Sequence, residues 1–215
     1  PSSVVVGEGK RFLIRSSRVS LEWNGATFNF TAGAAAESLN RAIRVPANIS
    51  AAHTLGSPVA AGDSSFSASS SADADDLSVG QWVVVGEWDF GDWQALEWKQ
   101  VLSVVGTTVT VTTPFRRGYG TTYTGRWYEN TALRENISIS GMNLVAAATG
   151  EDTIGIDAQY CRLLDVSGNT FDIEEGMAFQ IYAQDAPRVV ENNIRRQFGR
   201  RSSFGACMDG LLNGN

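Results

Sequence analysis

The sequence predicts an all-β chain: a parallel β-solenoid of short coils, interrupted by a small antiparallel β insertion. Three observations predict it. Alternating runs of about four to seven residues are broken by turn residues at close intervals, and 22 of the 215 residues are glycine. In the C-terminal third, an apolar run followed by an Asn-bearing turn recurs every 22 to 26 residues. Between about residues 57 and 128 that period fails, and five of the six tryptophans (Trp82, Trp88, Trp93, Trp98 and Trp127) gather there.

The N-terminal stretch alternates as half-buried strands do, at Lys10 to Ile14 and at Val19 to Phe28, with turn residues between. Ala34 to Ile43 holds good helix formers, but Gly33 and Pro46 bound it closely, which predicts at most two or three helical turns. The insertion opens with Ser64 to Ala68 and a Ser/Asp-rich turn from Ser69 to Asp76. Gln81 to Val85, Glu97 to Leu102 and the hairpin-like Val104 to Val111 then read as antiparallel strands with tight turns. In the C-terminal third, Leu163 to Phe171, Arg188 to Ile194 and Leu211 to Asn215 repeat one pattern, anchored at Asn169, Asn193 and Asn215. An earlier copy, Ile137 to Leu144, is anchored at Asn143. Ile154 to Asp157 and Met177 to Ile181 supply a further strand before the first two, and Phe204 to Cys207 a weaker one before the third.

Strands this short cannot bury a face alone; coiled so that each pairs with its copy one repeat later, they enclose a continuous core. The expected division is 1–56 for the first coils, 57–128 for the inserted small β domain and 129–215 for the remaining coils. The last repeat stops at its turn, so a longer polypeptide is expected. Ile137, Ile139, Ile154, Ile156, Leu164, Val166, Phe171, Phe179, Ile181 and Val190 are predicted to point into the coil. Asn169 and Asn193 should stack in adjacent coils, each amide serving a group of the next coil, with Asn215 continuing the row. Cys161, Asp185 and Cys207 should fall in one column, which places the cysteines two coils apart and leaves both as free thiols.

Composition narrows the function. Seventeen Lys and Arg against 23 Asp and Glu give a net charge of −6, against a nucleic-acid binder that works by neutralising phosphate. No apolar run approaches the ~18 residues of a spanning helix, so no membrane insertion is expected, and no secretory signal is visible. One histidine, His53, and two cysteines exclude a zinc cluster of the finger type and a disulfide-dense scaffold. No metal and no cofactor are expected.

The opening Val4 to Ile14, the insertion segments Gly62 to Ala68, Val79 to Trp82 and Val101 to Val109, and the Gly-Ile-x-Ile and Val-x-x-Asn-Asn patterns of residues 136–215 together resemble the pectate-lyase-like right-handed parallel β-helix superfamily, in the form found in bacteriophage tailspikes and tail fibres. The resemblance is specific for fold and weak for chemistry, because this superfamily includes lyases, hydrolases and pure binders. It implies a homotrimer on the virion tail, extracellular, working beside other phage tail proteins and engaging host cell-surface polysaccharide.

Strand alternation places Asp157, Gln180 and Tyr182, with Asp185 of the following turn, on one outer face of the coil. A carboxylate, an amide and an aromatic ring suit the hydroxyls and apolar face of a sugar. A solvated flank or subunit contact is the competing reading, and on sequence alone it carries more weight. Trp88 and Trp93, in a loop-like segment, are candidate stacking platforms for sugars, although a small insertion also needs tryptophans for its own core. Asp172 with Glu174 and Glu175 reads as a solvated acidic turn rather than a catalytic pair. Arg195, Arg196, Arg200 and Arg201 form a basic cluster, read first as salt-bridge partners of those acidic turns in a trimer. His53 stands alone in a small-residue loop, which makes a triad improbable. Catalytic residues cannot be named from the sequence. Two functions follow: a structural, receptor-binding tail segment, and, as the alternative, a glycoside hydrolase or polysaccharide lyase using the outer face of the helix. The lack of a tight carboxylate or cation-binding cluster favours the first.

Overall fold

Short alternating strands need neighbours, and in the solenoid each finds them one coil away. The computed structural model describes residues 3–6, 11–30, 40–46, 50, 52–89, 92–120, 125–129, 133–147, 153–199, 202–205, 207 and 210–214. The chain divides into two compact units, Pro1–Ala47 with Arg134–Asn215, and Asn48–Leu133.

The first unit is a parallel β-solenoid with three strand rows. One row stacks Ser3–Val6, Thr27–Phe30, Asn143–Ala146, the start of Thr170–Tyr182, and Asn193–Gly199. The second stacks Phe12–Leu13, Asn40–Val45, Thr153–Gln159, the end of Thr170–Tyr182, and Ser203–Gly205. The third stacks Val19–Glu22, Arg134–Ser140, Cys161–Ser167, Arg188–Val190 and Leu211–Asn213. Every pairing in these rows is parallel, as the recurring pattern requires.

Ile137, Ile139, Ile156, Leu164, Val166, Phe171, Phe179 and Ile181 are buried together in one core with Phe28, Ile43, Leu144 and Val189. Ile154 and Val190 are also buried but lie outside that cluster. Val189, not Val190, pairs with Val166, so the true coil offset there is one residue shorter than the apolar pairs alone suggest. The same slip moves the asparagine ladder. Asn169 donates from Nδ2 to Asn192 Oδ1 at 3.0 Å and to Ile139 O at 2.9 Å, and its Oδ1 accepts from the Met142 amide at 3.0 Å. Asn192 Nδ2 in turn donates to Val166 O at 2.9 Å. Asn193 begins the next strand, paired with Thr170, and is exposed; Asn215 lies outside the described residues.

The corners explain why the slip was hidden. Gly25, Gly141, Gly168 and Gly214 all have φ between 63° and 78°, and they form one column in which Glu191, at φ 56°, occupies the fourth coil. Arg18, Asn136, Leu163 and Ala186 make a second left-handed column, in which only Asn136 is a residue that favours that conformation. Leu163 therefore leaves the core and is 42% exposed, although its sequence neighbour Leu164 is buried. The helix expected over residues 34–43 is not formed at its end, where Asn40–Val45 is a strand; residues 31–39 lie outside the described residues. Strand pairing on both sides outweighs the helix propensity there. Glu174 and Glu175 lie within the strand Thr170–Tyr182 and not in a turn, because Gly176, at φ 124°, lets the chain round the corner without leaving the ladder.

The second unit is a six-stranded antiparallel sheet in the order His53–Thr54, Gly125–Glu129, Trp82–Asp89, Asp92–Val105, Thr108–Val111, Ser65–Ser67. An antiparallel bridge between Leu55 and Ala68 joins the two ends and closes it into a barrel. The Ser/Asp-rich segment forms a one-turn helix, Ser71–Asp75, whose Ser70 side chain caps the Asp73 amide. Val83, Val85, Val101, Val109, Phe66, Phe115 and Trp127 fill the interior.

Candidate functional site

On the second solenoid row, Ile43, Ile156 and Phe179 align inward, as do Val45, Ala158 and Ile181. Alternation sends the residues between them outward, so Arg44, Asp157, Gln180 and Ser203 form one column on the outside. Asp157 is fully buried there: its Oδ2 lies 2.5 Å from Arg41 Nε and 3.5 Å from Arg44 Nε, and its Oδ1 accepts from Gln159 Nε2 at 3.1 Å. Gln180 is half-buried, and its Oε1 has no hydrogen-bond partner among the described residues. Tyr182 lies two residues further along the same outer side; its ring meets Tyr160 edge-on at 6.0 Å, and a Cβ on Gly205 would touch it at 2.7 Å. Glycine in the next coil thus leaves the space that the Tyr182 ring occupies.

Asp185 stands past the corner, at the start of the third row. Its Oδ2 takes Arg162 Nε at 2.6 Å, while Arg162 Nη1 reaches Glu135 Oε2 at 3.3 Å, so one guanidinium bridges carboxylates from the coils on either side. Arg188 Nη1 reaches Asp165 Oδ2 of the preceding coil at 2.8 Å. Of the four solenoid candidates, the fold makes neighbours of Asp157 and Gln180, keeps Tyr182 on their side, and places Asp185 in a separate ion-paired column. In the basic cluster, the backbone register sets Arg196 beside Asp172.

The column below that corner is Cys161, Gln184 and Cys207. The Gln184 amide donates to Ala158 O of the preceding coil at 3.0 Å, and the Cys207 thiol approaches Ile181 O at 3.8 Å, the equivalent carbonyl one coil on. Gln184, rather than Asp185, separates the cysteines, and both are free. Burial pushes the Cys161 thiol up to about 12, despite the Gln184 amide and the Arg134 charge acting the other way. Burial likewise raises Cys207. These thiols fill space and cap carbonyls.

In the barrel, the backbone register pairs Trp88 with Trp93 and Asp89 with Asp92 across the end of one hairpin. His53 stacks on Trp127, with ring centres 4.3 Å apart, and its Nδ1 lies 3.2 Å from Asp73 Oδ1. Asp73 Oδ2 accepts from Ser69 at 2.9 Å. An acid therefore does accompany His53, but the serine bonds to the carboxylate and not to the imidazole, which is not the order a nucleophilic triad needs.

Sequence reading missed a buried ionic cluster. Glu97 and Lys99 pair with Val85 and Val83 and so face the barrel interior; each is 2% exposed. Lys99 Nζ lies 2.8 Å from Glu97 Oε2, donates to Pro114 O at 2.7 Å and sits 4.7 Å from the Phe115 ring centre. Glu97 Oε1 accepts from the amides of Arg116 and Arg117 at 3.0 and 3.1 Å and from the Tyr119 hydroxyl at 3.0 Å. Burial pushes the Glu97 carboxyl upward, but Lys99, the Arg116 amide and Tyr119 together outweigh it and hold it below its ordinary value. Burial, then the Glu97 charge, pushes the Tyr119 hydroxyl far above its own. Lys99 is one of two lysines among 17 basic residues, and an Arg-Arg pair between Pro114 and Gly118 was the signal available.

No protein-family model and no curated protein matches the chain. Among solved structures, the tailspike protein gp49 from Pseudomonas phage LKA1 is similar at a TM-score of 0.56 and 16% identity, over 89% of this chain and 32% of that one. The gp54 tailspike of Acinetobacter baumannii bacteriophage AP22, solved in complex with A. baumannii capsular saccharide, aligns at a TM-score of 0.44 and 13% identity, over 97% of this chain and 40% of that one. The gp61 tailspike of Pseudomonas phage phi297 aligns at 0.42 and 14%, over 88% and 42%. The chain spans about a third of the length of the LKA1 protein. At that identity the likeness is one of fold, a parallel β-solenoid.

Proposed function

We propose that this chain is part of a bacteriophage tailspike or tail fibre that binds host cell-surface polysaccharide. The solenoid is its rigid stalk, the inserted barrel an adhesin or collar, and the assembled form a homotrimer carried on the virion tail beside other tail proteins. The observation that carries the reading is the shared fold with the LKA1 tailspike across 89% of the chain. The outer side of the second row supports it, where the half-buried Gln180 and Tyr182 side chains are the groups a sugar could meet, with Asp157 fixing the arginines beside them. Trp88 and Trp93, opposite one another at a hairpin end, are the second candidate contact. Binding is favoured over cleavage at Asp157, Glu135, Asp185 and Asp165, each of which is already engaged by an arginine.

The test is to incubate the full polypeptide with purified capsule and lipopolysaccharide of the host. Retention on the polymer is measured, together with release of reducing ends or of unsaturated uronate absorbance. Binding without new ends is the expected result; new ends would establish the hydrolase or lyase alternative, and no retention on any host polymer would refute both. Sedimentation as a monomer at micromolar concentration would refute the trimer.

A further inference from the structure

The outside of the second solenoid row carries two columns side by side. Asp157, Gln180 and Ser203 pair across successive coils in one, and Gln159, Tyr182 and Gly205 in the other. Coils lie about 4.8 Å apart and residues two apart on a strand about 6 to 7 Å, so Gln180 and Tyr182 are within reach of one small ligand. The charged groups beside them hold one another: Asp157 is fully buried against Arg41 and Arg44 and accepts from Gln159 Nε2 at 3.1 Å. An anionic ligand would have to draw an arginine off that carboxylate, and a cationic one would have to displace an arginine from it. Either exchange leaves a buried charge without its partner, which is costly. An uncharged ligand disturbs nothing.

Gln180 differs from its neighbour in the column alongside. Gln159 has Asp157 to donate to, whereas Gln180 Oε1 is buried with no partner among the described residues, although the side chain as a whole is only half-buried. A buried acceptor without a donor is destabilising, and in a folded protein such a group calls for a donor from outside the chain. A sugar hydroxyl or acetamido N–H supplies one, and the loosely held last torsion of a glutamine lets the oxygen turn out to meet it. Tyr182 stands beside it with its ring fixed from two sides. The buried Tyr160 ring meets it edge-on at 6.0 Å, and a Cβ on Gly205 would lie 2.7 Å from Cδ2 and 3.1 Å from Cε2. Gly205 is not in a left-handed conformation, so the backbone does not require glycine there; the ring does. A fixed aromatic surface next to an unserved acceptor suits the apolar face and the donors of a pyranose.

We propose that Gln180 and Tyr182 form a subsite for an uncharged pyranose unit of the host polysaccharide, with Gly205 as the positioning residue that sets the Tyr182 ring. The proposal rests on the polysaccharide-binding reading above and narrows its substrate class. The full polypeptide is tested for retention on purified bacterial capsular and O-antigen polysaccharides, neutral and acidic. Each polymer that binds is tested again after chemical reduction of its carboxyl groups and, separately, after removal of its phosphate. The expected result is affinity that stays within about twofold when charge is removed. Gln180→Leu should weaken binding by about tenfold or more while leaving the melting temperature unchanged or higher, because it deletes an unserved acceptor. Tyr182→Ala should weaken binding to a similar degree. Gly205→Ala should weaken it several-fold in the natural sequence and have no further effect in the Tyr182→Ala background, since it acts only through the ring. Binding lost on carboxyl reduction or phosphate removal would place the ligand in the acidic class, and unchanged binding by Gln180→Leu would remove the subsite. Either result overturns the proposal and leaves the polysaccharide reading standing. An equal loss from Gly205→Ala in both backgrounds would overturn its positioning role, and retention on no polymer would overturn both the subsite and the reading it rests on.

Discussion

Replacing Asn169 by leucine tests the ladder that replaces strand hydrogen bonds at the solenoid corner. The side chain is 1% exposed and makes three hydrogen bonds, to Ile139 O, Asn192 Oδ1 and the Met142 amide, all between 2.9 and 3.0 Å. Leucine fills nearly the same volume, so little of the effect is cavity. Each lost bond is worth about 1 kcal/mol net, and the stranded Met142 amide adds a desolvation cost of about 1 to 3 kcal/mol. The apolar side chain recovers roughly 1 to 2 kcal/mol of that total, so a net loss of about 3 kcal/mol is expected. Asn193→Leu, one residue from the partner Asn192, alters an exposed side chain and should cost no more than about 0.5 kcal/mol. Urea denaturation read at unchanged m-value separates the two. Asn192→Leu should resemble Asn169→Leu, and the double variant should cost about 1 kcal/mol less than the sum, because the two share a bond. A cost at Asn193 equal to that at Asn169, or strict additivity of 169 and 192, would refute the ladder.

Gly176→Ala places a Cβ 1.8 Å from Thr153 O at a φ of 124°, so the variant should fail to fold or melt far lower, whereas Gly168→Ala, at φ 63° with open space around it, should cost only about 1 kcal/mol. Wild-type-like melting of Gly176→Ala would contradict the corner geometry. Glu191→Gly relieves a left-handed conformation in the glycine column and should leave stability unchanged or raise it by up to about 1 kcal/mol in chemical denaturation; a clear loss would show that Glu191 does more than turn the chain. Because the folded Glu97 carboxyl is held below its unfolded value, its contribution is present above the ordinary carboxylate range and disappears as pH falls through the lower folded value. The barrel should therefore lose stability in acid, and Glu97→Gln should flatten that dependence in pH-dependent melting. In native protein at pH 8, Cys161 should resist a disulfide reagent, Cys207 should react first, and intact mass under non-reducing conditions should show two free thiols; a Cys161–Cys207 bond would overturn the column.

The all-β class, the parallel coil and the antiparallel interruption were legible because period and patterning are local: a strand that buries one side must alternate, and a coil that stacks must repeat. Ile137, Ile139, Leu164, Val166, Phe171 and Phe179 declare the core by that rule alone. Register was legible only to within a residue. Val189 and Val190 are the same amino acid, as are Asn192 and Asn193, so either member satisfies the pattern, and one position decides which side faces inward. The glycine column at 141, 168 and 214 could have resolved it, had Glu191 not stood where the fourth glycine was needed. No sequence rule, however, marks Arg18, Leu163 or Ala186 as left-handed corner residues; stacking on the coils above and below imposes that conformation on them. The same holds for the candidate sites. Alternation places Asp157 outward, but the arginines that bury it come from Arg41 and Arg44, more than a hundred residues earlier in the chain. Glu97 and Lys99 read as ordinary polar positions of a strand until barrel closure turns them inward and the 112–120 loop supplies their donors. Composition and spacing determine which elements form; which charged groups meet depends on contacts between distant segments, and only the closed fold brings those segments together.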